Sequence, residues 1–119
     1  MEVIEVKYQS LIGYNTVLLN HSLFGRLVYR NYRGRKYATY VPGILDNIKY
    51  HKPHRSVIYL TPEEFKKLDL GVLSHIGSFL TRKIEAPVVE EEFQTGKEFW
   101  ALKAHEKGLF IRTQKKPKW

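Results

Sequence analysis

Six consecutive residues, Tyr50-His51-Lys52-Pro53-His54-Arg55, set two imidazoles, two cations and a phenol in one short segment. Those types can work on a phosphodiester without a metal: a His or Tyr moves protons while a Lys or Arg stabilises the charge that builds on the phosphoryl oxygens. Tyr50, His51, Lys52 and His54 are therefore the candidate catalytic residues. The same segment would also serve as a phosphate clamp, with charge from Lys52 and Arg55, or as a plain solvated basic loop. The balance leans to binding without catalysis. His51 and His54 have no cysteine or carboxylate at ligand spacing, and His21, His75 and His105 are scattered along the chain. No metal site and no cofactor is expected.

A longer stretch interleaves guanidinium groups with phenol rings. Arginine neutralises phosphate and stacks on bases, and tyrosine offers a flat face to an unstacked base. If Arg33-Gly34 forms a two-residue turn, Tyr32 stands opposite Arg35, Arg30 opposite Tyr37, Val28 opposite Thr39 and Arg26 opposite Val41. Side chains alternate between faces, so Arg26, Arg30, Tyr32, Arg35 and Tyr37 share one surface while Leu27, Tyr29, Ala38 and Tyr40 share the other. The candidate nucleic-acid-binding set is Arg26, Arg30, Tyr32, Arg33, Arg35 and Tyr37, joined by Lys52 and Arg55. Arg and Tyr also pair across strands by cation–π contact alone. A slip of one residue in register would turn the set inward.

Other residues carry weaker signals. His75 lies among apolar neighbours and reads as a core or boundary residue. Glu90-Glu91-Glu92 reads as a solvated acidic face, and Phe99 and Trp100 as core anchors. Walker, GxGxxG, GxSxG, HExxH and GxxG patterns are all missing.

The elements that must hold these residues can be read from pattern and punctuation. Glu2 to Tyr8 alternates apolar and polar and predicts a strand, and Thr16 to Leu19 a second short β-like run. Phe24 to Tyr32 and Lys36 to Val41 are aromatic and β-branched, and they form the hairpin around Arg33-Gly34. Residues 44–54 read as an irregular excursion, and Ser56 to Leu60 as a compact strand. Thr61-Pro62-Glu63-Glu64 is a capping box with proline at the first helical position. Behind it Phe65, Leu68, Val72, Leu73, Ile76, Phe79 and Leu80 recur at helical spacing, with a break near 69–71 as an equal alternative. Ile84 to Val89 reads as an edge strand because of Pro87. Phe99 to Ala104 and Leu109 to Thr113 read as a final hairpin, against a competing helix at 97–106. The expected class is α+β: a mainly antiparallel sheet with one helical segment packed on one face. Residues 1–114 form a single basic domain, and 115–119 a basic C-terminal tail.

Composition bounds the function. The chain has 119 residues, 43% of them apolar, enough for a real core. It has no cysteine, which removes disulfides and thiolate metal sites and fits a reducing compartment. The acidic, alternating start does not resemble a secretory signal, and Leu70 to Thr81 is too short and too polar to span a bilayer. A soluble, cytoplasmic protein without a membrane partner is expected. Three Gln, one Met and many Lys, Arg, Glu and Tyr give the composition a thermophile-like character.

The net charge of +8 is unevenly placed. Residues 1–20 carry −1, 21–60 carry +7, 61–96 carry −3 and 97–119 carry +5. Segregation of that kind builds a field that attracts phosphate. The leading expectation is a small DNA- or RNA-binding protein, alone, as a homodimer or as a subunit of a nucleoprotein complex. The alternatives are a metal-independent nuclease and a structural or regulatory subunit docking on an acidic protein.

Overall fold

The structure, a computed structural model, describes residues 1–114, and the basic tail at 115–119 lies outside the described residues. The architecture is α+β. Among the described residues it comprises seven strands in two sheets and three α-helices. One sheet runs in the order β4 (His51–His54), β5 (Val57–Leu60), β1 (Glu2–Ser10), β6 (Gly77–Glu85), with every pair antiparallel. The second runs β2 (Arg26–Tyr32), β3 (Arg35–Val41), β7 (Phe110–Thr113). There β2 and β3 form the expected antiparallel hairpin, and β7 joins β3 in parallel.

β1 is central in its sheet and buried on both faces. Val6 and Tyr8 enter the main core with Leu19, Leu23, Ile58 and Leu60. Val3 enters a smaller cluster with Ala86 and Phe93 on the opposite face. That face also holds Glu5, whose Oε1 accepts a hydrogen bond from Arg82 Nε at 2.7 Å. The hydrogen bond from Arg82 holds the Glu5 carboxyl below its ordinary range against the opposing effect of burial, helped by the charges of Arg82, Lys7 and His54. A depressed folded-state pKa contributes stability above the unfolded carboxylate pKa, and that contribution is lost as pH falls through the folded value. Acid unfolding of the parent should therefore steepen below about pH 4, and Glu5→Gln should flatten that limb in pH-dependent thermal melts. A parallel acid limb in the variant would remove Glu5 from the explanation.

Several elements differ from the sequence expectations. Thr16 to Leu19 opens a helix, α1 (Thr16–Phe24), instead of forming a strand. The Asn15 side chain caps it by accepting from Val17 N at 2.7 Å, and Gly25, at φ 77°, closes it. Caps outweighed the β-branched character of the first turn. The capping box at 61–64 does start a helix, α2 (Pro62–Lys66), with Glu64 N donating to Thr61 Oγ1. The chain breaks after it, makes one 3₁₀ turn at Leu70–Leu73 capped by Asp69, and is already strand from Gly77. The helical spacing of Ile76, Phe79 and Leu80 was overridden by nine consecutive pairings of β6 with β1. Those pairings also absorb Ile84, and the strand ends at Glu85, before Pro87. The excursion at 44–54 contains a strand, β4, whose proline sits at a sheet edge, where a missing N–H is tolerated.

The final segment forms a helix, α3 (Gly96–Glu106), followed by β7, so the competing helix prevails over the last hairpin. Parallel pairing of β7 with β3 requires a crossover, and here the connection runs through the strands of the first sheet and ends in α3. The helix lies on one face of the second sheet, where Ala104 packs with Leu27, Ala38 and Tyr40, flanked by Trp100 and Leu109. Beneath it, Tyr40 Oη donates to Asp46 Oδ1 at 2.6 Å in a buried contact.

Candidate nucleic-acid interface

The hairpin register is the one the turn residues imply: Arg30 pairs with Tyr37, Tyr32 with Arg35 and Arg26 with Val41. Arg33 and Gly34 both have positive φ, 52° and 76°, as a type I′ turn requires. Gly34 accepts that conformation freely, whereas an arginine does so at a steric cost of about 1–2 kcal/mol. Of the inward row, Leu27, Ala38 and Tyr40 are buried under α3, whereas Tyr29, expected with them, stays half exposed and its hydroxyl accepts from Lys107 Nζ at 2.9 Å. The outward row, Arg26, Arg30, Tyr32, Arg35 and Tyr37, lies on the face that α3 leaves uncovered.

β7 extends this open face. In the parallel register Phe110 stands beside Tyr37 and Arg112 beside Thr39, so both share the outward row. Phe110 is 58% exposed and Tyr32 60%. The Tyr37 and Phe110 centroids lie 5.8 Å apart with planes tilted by 36°. Arg33 sits 5.2 Å from the Tyr32 ring and Arg35 5.9 Å from the Phe110 ring. A shallow depression on this face is lined by Arg30, Tyr32, Tyr37, Thr39, Phe110 and Arg112.

Pairing of charge follows the same division. Lys7, Lys67, Arg82 and Lys83 each meet a carboxylate. Among the described residues, Arg26, Arg30, Arg33, Arg35, Lys52, Arg55 and Arg112 form no salt bridge. Most of the positive charge at 21–60 thus has no carboxylate partner among the described residues.

The basic segment at 50–55 is divided by its strand. His51 pairs with Tyr59 and His54 with Val57, so three steps on β4 match two on β5. That bulge at Lys52-Pro53 brings both histidines to the same face. His51 packs against Tyr59 and Phe93, at 6.2 and 5.9 Å between centroids, and the charge of His54 reaches Glu5. Tyr50 and Lys52 turn to the other side. The Tyr50 ring lies 5.4 Å from Phe24 in the core, and burial pushes its hydroxyl up to about 12. Lys52 Nζ stands 4.7 Å from the Phe24 ring, and burial, then the charge of Arg55, lower its pKa. The four candidate catalytic side chains are therefore not gathered around one point. Lys52 and Arg55 remain together and exposed on the edge strand and its turn. Among the described residues no group of three His, Asp or Glu side chains is placed to hold a metal ion.

Phe110 and Arg112 lie on this face but were not among the candidates read from the sequence. The signal for α3 was present at Thr95-Gly96-Lys97-Glu98, a second capping box, where Glu98 N donates to Thr95 Oγ1 at 3.1 Å.

The fold and face define a small α+β protein whose second sheet is covered by one helix and opens an aromatic and cationic surface on the other side. No protein-family model matches the chain, and no curated protein or solved structure matches it. Among the described residues no helix is long and apolar enough to cross a membrane.

Proposed function

We propose that the protein binds single-stranded nucleic acid on the open face of the β2-β3-β7 sheet. One observation carries this reading: the exposed rings of Tyr32 and Phe110 and the half-buried ring of Tyr37 share a face with Arg30, Arg35 and Arg112, and none of these arginines is neutralised by a carboxylate among the described residues. Rings at strand spacing stack on successive unpaired bases, and the arginines meet the phosphates between them. A paired duplex hides its base faces, which favours single strands on this surface. Lys52 and Arg55 add charge from the edge of the other sheet.

The test is fluorescence anisotropy with labelled single-stranded RNA and DNA and with the matching duplexes, in EDTA and in magnesium. Single strands should bind tighter than duplexes by about tenfold or more, and affinity should fall by one to two log units between about 50 and 200 mM salt. Equal affinity for duplex, or a binding constant flat with salt, would contradict the proposal. Cleavage in EDTA that disappears in His51→Ala or His54→Ala would instead favour the nuclease reading.

The turn offers a second test. Arg33→Asn should raise stability by about 0.5–1 kcal/mol, because Asn tolerates the left-handed conformation better, while lowering strand affinity through the lost charge. Thermal melts and anisotropy on one preparation decide it. A variant that gains neither stability nor loses affinity would show that Arg33 serves neither purpose.

A further inference from the structure

A cleft of about 470 Å³ lies where the two sheets meet, bordered by α1, the start of β2, the edge strand β4, the segment at 92–94 and the first turns of α3. That volume is within the range of small-molecule sites, and of the outward row only Arg26, at the start of β2, enters its lining. Its walls are aromatic: Phe24, Tyr50, Phe99 and Trp100. Trp100 is held in place, since its Nε1 donates to the Phe24 carbonyl at 2.7 Å and its ring meets Phe99 edge-on at 4.9 Å. A fixed indole presents a flat surface without losing side-chain entropy on contact.

The polar lining has a definite chemistry. Lys52 and Arg26 bring two cations that form no salt bridge among the described residues, and Lys52 is already partly withdrawn from water against Phe24. Glu92 is the only carboxylate in the lining among the described residues, so the cleft keeps a positive balance. Asn20 and Gln94 supply amides that both donate and accept, and Gln94 is fixed by a reciprocal backbone pair with Tyr50 at 3.0 and 3.1 Å. Burial, then the charge of Arg26, hold the His21 imidazole below its ordinary range, so near neutrality it adds a neutral donor and acceptor.

Flat walls, a pair of cations and a few amides match a ligand with three parts: a planar heterocycle, hydroxyls and a phosphate. We propose that this cleft binds a nucleoside monophosphate, either free or as the phosphorylated end of a strand. The ring stacks on Trp100 and Phe24, Lys52 and Arg26 take the phosphate, and Asn20, Gln94 and Glu92 address the base edge and the ribose hydroxyls. The assignment does not depend on the sheet face binding anything, because a mononucleotide reports on the cleft by itself.

The experiment uses the full chain with Trp119→Phe, so that all indole fluorescence comes from Trp100, titrated with AMP, adenosine and inorganic phosphate. AMP should quench saturably with Kd below about 1 mM, and adenosine and phosphate should each bind about tenfold more weakly or worse. Lys52→Ala should weaken AMP about tenfold without lowering Tm, and Lys52→Arg should recover most of the loss. Absence of saturation by AMP up to about 10 mM would overturn the proposal. So would adenosine binding as well as AMP, or AMP affinity indifferent to Lys52→Ala. Short oligonucleotides with and without a 5′-phosphate then separate the sources. A 5′-phosphate that strengthens quenching assigns the cleft to strand ends, and quenching by AMP alone assigns it to the free nucleotide.

Discussion

Gly43→Ala should be strongly destabilising, costing about 3 kcal/mol and lowering Tm by on the order of 10 °C. A Cβ at Gly43 would meet the Gly25 amide nitrogen and lie 2.5 Å from the Leu23 carbonyl oxygen, contacts that only backbone movement can relieve. The two glycines sit where α1 passes to β2 and where β3 leaves the sheet. Ile44 N and Leu45 N donate across the same junction to Ser22 and Leu23 carbonyls at 2.9 and 3.0 Å. An overlap there would pry apart the joint between the two sheets. Gly34→Ala is the control, because a Cβ at Gly34 meets nothing within 4 Å and only the positive φ is penalised, by about 1 kcal/mol. Thermal or urea unfolding of the two variants gives the comparison. Equal, small losses would mean that the Gly25–Gly43 contact has room for a methyl group.

The second large effect falls on binding. Tyr37→Ala and Phe110→Ala should each weaken single-strand affinity by about 1–2 kcal/mol while leaving the melting curve close to the parent. Phe110 is mostly exposed and Tyr37 faces outward, so neither truncation opens the core under α3. Their rings touch, so the double variant should lose less than the sum of the two singles. Tyr40→Ala is the contrasting case: it lies on the inner face, donates to Asp46, and should unfold the second sheet before it affects any ligand. Affinity unchanged in the Tyr37 and Phe110 variants would mean that the rings only support each other.

The hairpin was legible because its information is local: Arg33-Gly34 sets the turn, the turn sets the register, and the register sorts Arg and Tyr to one face. α1 and α3 were legible only in their caps, Asn15 with Gly25 and Thr95 with Glu98, since neither helix carries a clean apolar stripe. The stretch from Leu68 to Leu80 misled for the opposite reason. Its apolar spacing suits a helix, but pairing with β1 is a long-range gain that no local pattern announces. Phe110 joined the candidate surface through a parallel pairing with β3 some seventy residues earlier. The cleft was not readable at all, because positions near 20–26, 50–52, 92–94 and 99–100 meet only once the chain is folded.

Ultraviolet cross-linking of the parent protein to a single strand carrying 4-thiouridine, with the modified peptides identified by mass spectrometry, tests the central claim most directly. The open-face reading predicts adducts at Tyr32, Tyr37 and Phe110, reduced as salt is raised and absent with the matching duplex. Adducts confined to the other sheet, at Tyr59 or His54, or a pattern the same for duplex and single strand, would contradict it.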